Sequence, residues 1–164
     1  MSQHYKDLQG KVHFLDDTSF EYLLPAGCVP ITPAEATAIL APTLAQVQAS
    51  KIGQLTTAYN TAIAANISYT SIAGVTSTYQ ATTQTIANLQ SLLIAYQSAP
   101  TTLPATFYWV AADNTRVPFT YADMQLLAQA IAAQSIVAFA HLQTQKLLVT
   151  TADATVASVN AVTW

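Results

Sequence analysis

The stretch Phe107-Tyr-Trp-Val-Ala-Ala-Asp-Asn-Thr-Arg-Val-Pro-Phe-Thr-Tyr-Ala-Asp-Met124 decides how this chain folds, because its apolar period changes in the middle. Phe107-Tyr-Trp-Val110 and Arg116-Val-Pro-Phe119 flank Asp113-Asn114, the pattern of two short strands joined at an Asp/Asn turn. Thr120 then stands where a helix N-cap belongs. Behind it Met124, Leu127, Ala128, Ile131, Ser135, Ala138, Leu142 and Lys146 recur at spacings of three and four, which predicts a long helix with an apolar face. A second stripe, Leu126, Ala130, Ala133, Val137, Ala140, Leu147 and Leu148, covers much of the remaining circumference. Such a helix wants neighbours on more than one side.

Working back from this stretch, the same grammar recurs. Ile67, Tyr69 and Ser71 alternate, Ala73-Gly74 turns, and Val75, Ser77 and Tyr79 alternate back; Thr82 or Thr83 then caps a helix carrying Ile86, Leu89, Leu93 and Tyr96. Hairpin, cap and helix thus occur twice, with Tyr79 and Phe119 each ending a strand, although any hairpin-to-helix junction uses this order. Leu44, Val47, Lys51, Leu55, Ala58 and Ala62 predict an amphipathic helix over residues 43–66, and residues 98–104 read as a loop. Past Lys146, Thr150-Thr-Ala-Asp153 is expected to cap a short final helix, leaving Val159, Val162 and Trp164 to pack back.

The first quarter is different material. Seven of the chain's charged side chains, Lys6, Asp7, Lys11, Asp16, Asp17, Glu21 and Glu35, fall before Pro42, and Lys51 is the only charge between Glu35 and Asp113. This composition boundary divides the chain into a small N-terminal module, residues 1–42, and a C-terminal α+β domain, residues 43–164. In the module, residues 12–15 form a strand with residues 5–8 as its hairpin mate, and Asp17 or Thr18 caps a brief helix through Leu24. Pro25-Ala26-Gly27 stops that helix, and residues 28–31 run extended because the residue before a proline is pushed out of the helical region. Thr32-Pro33-Ala34-Glu35 is a capping box with proline at the first helical position. The fold class is α+β, mostly helical with short β-hairpins and one long C-terminal helix.

Charged residues make up 8% of the chain against about 25% in an ordinary soluble domain. Five scattered Lys and Arg and a net charge of −3 lack the basic footprint that nucleic acid or an anionic membrane requires. Gln125, Gln129, Gln134 and Ser135 interrupt the most apolar helical window, so no membrane span is expected, and residues 1–7 show no apolar core of a secretory signal. Cys28, the single cysteine, sits beside Val and Pro without a basic neighbour and reads as a small hydrophobe. His4, His13 and His141 lie far apart without ligand spacing, and Asp16-Asp17 suits a cap and a solvated turn. No catalytic, cofactor or metal site is expected. Trp109 and Trp164 read as core anchors, and turn chemistry accounts for Asp113 and Asn114.

The segment from Phe107 through Ile131, continuing to Lys146 and Trp164, resembles a domain of unknown function found near the C-terminus of phage and prophage tail proteins of the tail fibre assembly type. The family pattern of a Trp, an Asp-Asn turn, an apolar strand, Thr-x-x-Asp, a late Lys and a closing Trp falls on Trp109, Asp113, Asn114, Val117, Thr120, Asp123, Lys146 and Trp164. Tyr5-Lys-Asp, Val12-His13 and the run from Phe20 through Thr32 look like the start of such proteins. The long Thr/Ala/Gln stretch between is poorer in charge than the family pattern.

The resemblance implies a non-enzymatic chaperone or connector that binds a tail fibre or another tail protein in the host cytoplasm during assembly. The alternative is a permanent structural subunit of the virion tail or fibre tip; a glycan-active enzyme ranks last, because it needs two carboxylates in a cleft and the eight acidic residues here fall mostly in turns and caps. The expected partner-binding residues are Phe20, Tyr22, Leu23, Leu24, Pro25, Val29 and Ile31, since a small module has little capacity to bury them itself. The second stripe of the long helix is expected to meet a further copy or a partner.

Overall fold

The computed structural model describes residues 3–97 and 103–164; the loop expected at residues 98–104 lies, through residue 102, outside them. The protein is α+β and mostly helical, with short antiparallel sheets and one long helix near its C-terminal end. The chain divides into two compact units, Met1–Val47 and Gln48–Trp164. The division falls inside a helix rather than at Pro42, where the composition changes.

In the first unit β1 (Gln3–Lys6), β2 (Val12–Leu15) and β3 (Val29–Ile31) form an antiparallel sheet in the order β2-β1-β3. Strand β1 ends two residues before the expected position because Asp7 leaves the ladder. Its Oδ1 accepts from Gln9 N at 2.9 Å and Lys11 N at 2.8 Å, which folds Leu8 and Gln9 into the turn. A 3₁₀ turn (Thr18–Leu23) capped by Asp17 follows β2, and α1 (Pro33–Leu40) opens on the Thr32/Glu35 capping box. Among the described residues Tyr5, Val12 and Ala36 form the buried apolar centre of this unit.

The second unit contains most of α2 (Leu44–Ile63), the hairpin β4 (Ile67–Thr70) and β5 (Thr76–Tyr79), α3 (Thr83–Gln97), the hairpin β6 (Tyr108–Val110) and β7 (Arg116–Pro118), α4 (Tyr121–Thr150) and α5 (Val156–Ala161). Helix α4 runs past Lys146, with the Thr150 hydroxyl donating back to the Lys146 carbonyl inside the helix. The cap of α5 is therefore Thr155, in a reciprocal pair with Ser158, and not the 150–153 segment that the sequence suggested.

All three hairpins close by the same device. Asp7 N–Lys11 O, Ser71 N–Val75 O and Ala111 N–Thr115 O shut the loops at 2.9–3.0 Å, and the fourth loop residue is left-handed each time: Gly10, Gly74 and Asn114 at φ 83°, 82° and 67°. This is a tight turn followed by a residue that only glycine, or asparagine with modest strain, adopts readily. Asn114→Gly is expected to stay within a few tenths of a kcal/mol of the parent, because relief of strain offsets the extra freedom of the unfolded chain. Asn114→Val should cost about 1–2 kcal/mol. Urea denaturation of the two variants checks the contrast, and equal midpoints would refute the assignment of strain to this position.

The two hairpins of the second unit superpose in sequence at a fixed offset, Gly74 on Asn114, Tyr69 on Trp109 and Tyr79 on Phe119. They meet through Ala112 N donating to Thr78 O at 2.8 Å, and their equivalent aromatics converge. Phe119 lies 5.4 Å from Tyr79, 5.9 Å from Tyr69 and 6.4 Å from Trp109, ring centre to ring centre. Leu89 of α3 and Met124, Leu127 and Ile131 of α4 complete this core. The repeated grammar thus places each hairpin's aromatic pair against the other's.

Candidate functional site

Helix α4 is fixed at its start by Asp123, which is 1% exposed and carries four hydrogen bonds. Oδ2 accepts from Thr120 N at 2.8 Å and Thr120 Oγ1 at 2.6 Å, closing the capping box. Oδ1 accepts from the Tyr69 hydroxyl at 3.0 Å and from Ile72 N at 2.7 Å, both on the first hairpin of this unit. Burial alone would raise the pKa of this carboxyl, but the donors from Thr120, Ile72 and Tyr69 outweigh it and hold the value below the ordinary one. Burial, then the bond to Asp123, pushes Tyr69 up to about 12.

The first stripe of α4 is turned inward: Met124, Leu127 and Ile131 belong to the core described above, and Ala138 and Leu142 are buried farther along, as is Val149 two turns beyond. The second stripe is not covered. Leu126, Val137, Leu147 and Leu148 are exposed, together with Ile136 and Phe139, and Val137 retains 70% of its surface. Helix α2 runs beside α4 in the opposite sense, because Gln134 Nε2 donates to the Ala62 and Ala65 carbonyls at 2.9 and 3.0 Å and Gln48 Nε2 donates to the Val149 carbonyl at 2.8 Å. Between them lies an apolar groove of about 570 Å³, walled by Ala62, Ile67, Ala130, Ala133, Val137 and Trp164.

Trp164, expected in the core, keeps 41% of its surface exposed. It stands edge-on to His141 at 4.8 Å, because α5 ends at Ala161 and the last residues reach the groove instead of the interior. Trp109 is half-buried and stacks on Phe119 as an anchor of the core. Asp113 accepts from Thr115 N at 2.9 Å, Asn114 supplies the left-handed residue, and Thr120 is the N-cap of α4. A second, more polar depression of about 360 Å³ lies against this hairpin, with Gln80, Thr85, Asn88 and Trp109 among its walls.

In the first unit the 3₁₀ turn presents Phe20, Tyr22 and Leu23 outward, with Phe20 and Tyr22 rings 6.5 Å apart and Tyr22 exposed over 76% of its surface. Pro25 and Val29 are exposed as well, whereas Leu24 and Ile31 are half-buried. Residues 29–31 are not a free extended segment: they pair with β1, Tyr5 opposite Pro30. Pro30 lacks an N–H, which a strand with one open edge tolerates. Beneath, the Tyr5 hydroxyl donates to Glu21, tying the 3₁₀ turn to the sheet, and His13 Nε2 pairs with Asp7 Oδ2 at 2.9 Å. Sequence spacing missed that pair because Asp7 reaches His13 across the hairpin turn. The bond from His13, ahead of those from Lys11 N and Gln9 N, holds the Asp7 carboxyl below its ordinary range. Among the described residues no three His, Cys, Asp or Glu side chains gather at metal-binding distance.

The family described as a domain of unknown function (DUF4376) matches residues 46–163. The chain belongs to the DUF4376 family. No curated protein and no solved structure matches it. The DUF4376 stretch begins inside α2 and takes in both hairpins of the second unit, Asp123 and the exposed face of α4; the 3₁₀ turn with Phe20 and Tyr22 lies outside it. By length and composition α4 of this DUF4376 chain also suffices to cross a membrane. Its Gln and Ser side chains, which had argued against a span, are partly spent within the protein: Ser135 Oγ donates to the Ile131 carbonyl at 3.1 Å, and Gln134 is held by α2.

Proposed function

We propose that this protein is a non-enzymatic assembly factor of the tail fibre type, which binds a phage tail fibre or another tail protein in the host cytoplasm and shields its apolar surface during assembly. The observation that carries this reading is the outward display of Phe20, Tyr22, Leu23 and Val29 on a unit whose buried apolar centre, among the described residues, is Tyr5, Val12 and Ala36. Large aromatic and aliphatic side chains displayed together on a small scaffold are the kind of group that anchors protein interfaces. The resemblance of the 107–164 stretch to tail proteins supplies the class of partner.

Co-expressing the cognate fibre with full-length protein carrying Phe20→Ser, Tyr22→Ser and Leu23→Ser tests the reading. Loss of fibre capture and of soluble trimeric fibre, with an unchanged circular dichroism spectrum, is the expected result. Normal capture and normal fibre yield would overturn it. The exposed face of α4 favours a second reading, a permanent subunit of the tail, since permanent interfaces are the more apolar ones. Finding the chain in purified particles would select that reading over a factor that departs.

A further inference from the structure

We infer that the exposed face of α4 is the interface of a two-fold symmetric homodimer in which two copies of α4 pack antiparallel, centred on Val137. This goes beyond the reading above and does not depend on the identity of any tail partner. Leu126, Ala130, Ala133, Val137, His141, Thr144 and Leu148 follow one line along the helix at spacings of 4, 3, 4, 4, 3 and 4 residues. That order reads the same from either end. All of these residues are exposed except Ala130, which is half-buried.

A two-fold axis through Val137 sets Leu126 against Leu148 of the second copy, Ala130 against Thr144 and Ala133 against His141. Small side chains meet larger ones, and Val137 meets itself. An isologous interface requires this self-complementarity, residue i touching j while j touches i. Alanines on the line let two helices approach to roughly 8–10 Å.

Charge permits the arrangement too. Between Asp123, which is buried and fully bonded, and Lys146, the helix carries no charged residue, so a second copy meets no like charge. The antiparallel sense also pairs opposite ends of the two helix dipoles. The line from Leu126 to Leu148 is about 33 Å long and roughly 12 Å wide, or on the order of 400 Å² per copy. The adjoining walls of the groove, Ala62, Ile67 and Trp164, bring the buried total to about 1,000 Å², the size that separates a specific interface from a chance contact.

Cysteine cross-linking of the full chain in a Cys28→Ser background tests both association and register. Val137→Cys should form a disulfide with itself, and Leu126→Cys should cross-link with Leu148→Cys when the two are mixed, while neither does so alone. Val137→Glu, at an exposed position that leaves the fold unchanged by circular dichroism, should weaken the dimer roughly hundredfold in sedimentation equilibrium. A parent chain that stays monomeric at its highest soluble concentration overturns the proposal. So does self-linking of Leu126→Cys, which reports a parallel pair, or a monomer that co-sediments with phosphatidylcholine vesicles, which makes lipid the occupant of this face.

Discussion

Replacing Asp123 with alanine is expected to lower the unfolding free energy of the second unit by about 3–5 kcal/mol, because four donors lose a charged acceptor at a site closed to solvent. The change removes the Asp123 half of the capping box of α4 and its attachment to the first hairpin of this unit at once. A fall in the thermal midpoint of roughly 12–20 °C follows. Asp123→Asn is also destabilising, since one end of an amide is a donor and would face two further donors. The pH response separates the charge from the shape. The folded carboxyl has a depressed pKa, so its contribution is fully present above the unfolded value of about 3.9 and is lost as pH falls through the lower folded value. Asp123→Asn should therefore flatten part of the acid limb of the stability profile. Tyr69 works in the opposite direction: its raised pKa gives stability below the unfolded value of about 10, lost as pH rises through about 12. An acid limb in Asp123→Asn as steep as in the parent would show that other carboxylates govern it.

Phe119→Ala should cost about 3–5 kcal/mol, the usual range for truncating a buried aromatic. Phe119 is the one ring in contact with Tyr69, Tyr79 and Trp109 together, so the cavity opens where the two hairpins join. Tyr79→Phe makes a demanding control. Tyr79 is fully buried and its hydroxyl finds no well-formed hydrogen bond among the described residues, while the equivalent position of the second hairpin is already Phe119. Removing that oxygen is expected to leave stability unchanged or raise it by up to about 1 kcal/mol. Urea denaturation compares the two, and a Tyr79→Phe loss as large as that of Phe119→Ala would mean that the hydroxyl is engaged.

Most of this fold is legible in the sequence because its signals are local. The Thr32 and Thr120 capping boxes, the Asn114 turn and the three-and-four spacing of Met124, Leu127 and Ile131 each depend on residues within one or two turns of each other. What was not legible depends on distance. Asp123 reads from sequence as a capping residue, and nothing near it announces that Tyr69 and Ile72 will arrive at its other oxygen. Trp164 looked like an anchor on size alone, yet where it lands depends on the direction of α5. The pairing of residues 29–31 with β1 was hidden because Pro30 argues against a strand and only the tertiary position of β1 overrides it. For the exposed apolar surface, sequence identified both stripes of α4 but not which one the protein would cover. The Phe20 to Leu23 patch was legible because a unit this short had nowhere to put those side chains.

Three of the four ladders, β1–β2, β4–β5 and β6–β7, join strands adjacent in the chain and separated by a few residues, so little loop entropy has to be lost before each pairing forms. Hairpins of this kind close within microseconds. During synthesis both hairpins of the second unit and α3 leave the ribosome before α4 does, and the translation of some thirty helical residues at about 5–20 per second takes seconds. The strands against which α4 packs are therefore synthesised and able to pair before the apolar helix is complete, although the core they share closes only with Met124, Leu127 and Ile131 of α4 itself. Each new turn of α4 has its inner-side neighbours already synthesised, so the outer line of residues is the part that stays exposed once the chain is finished.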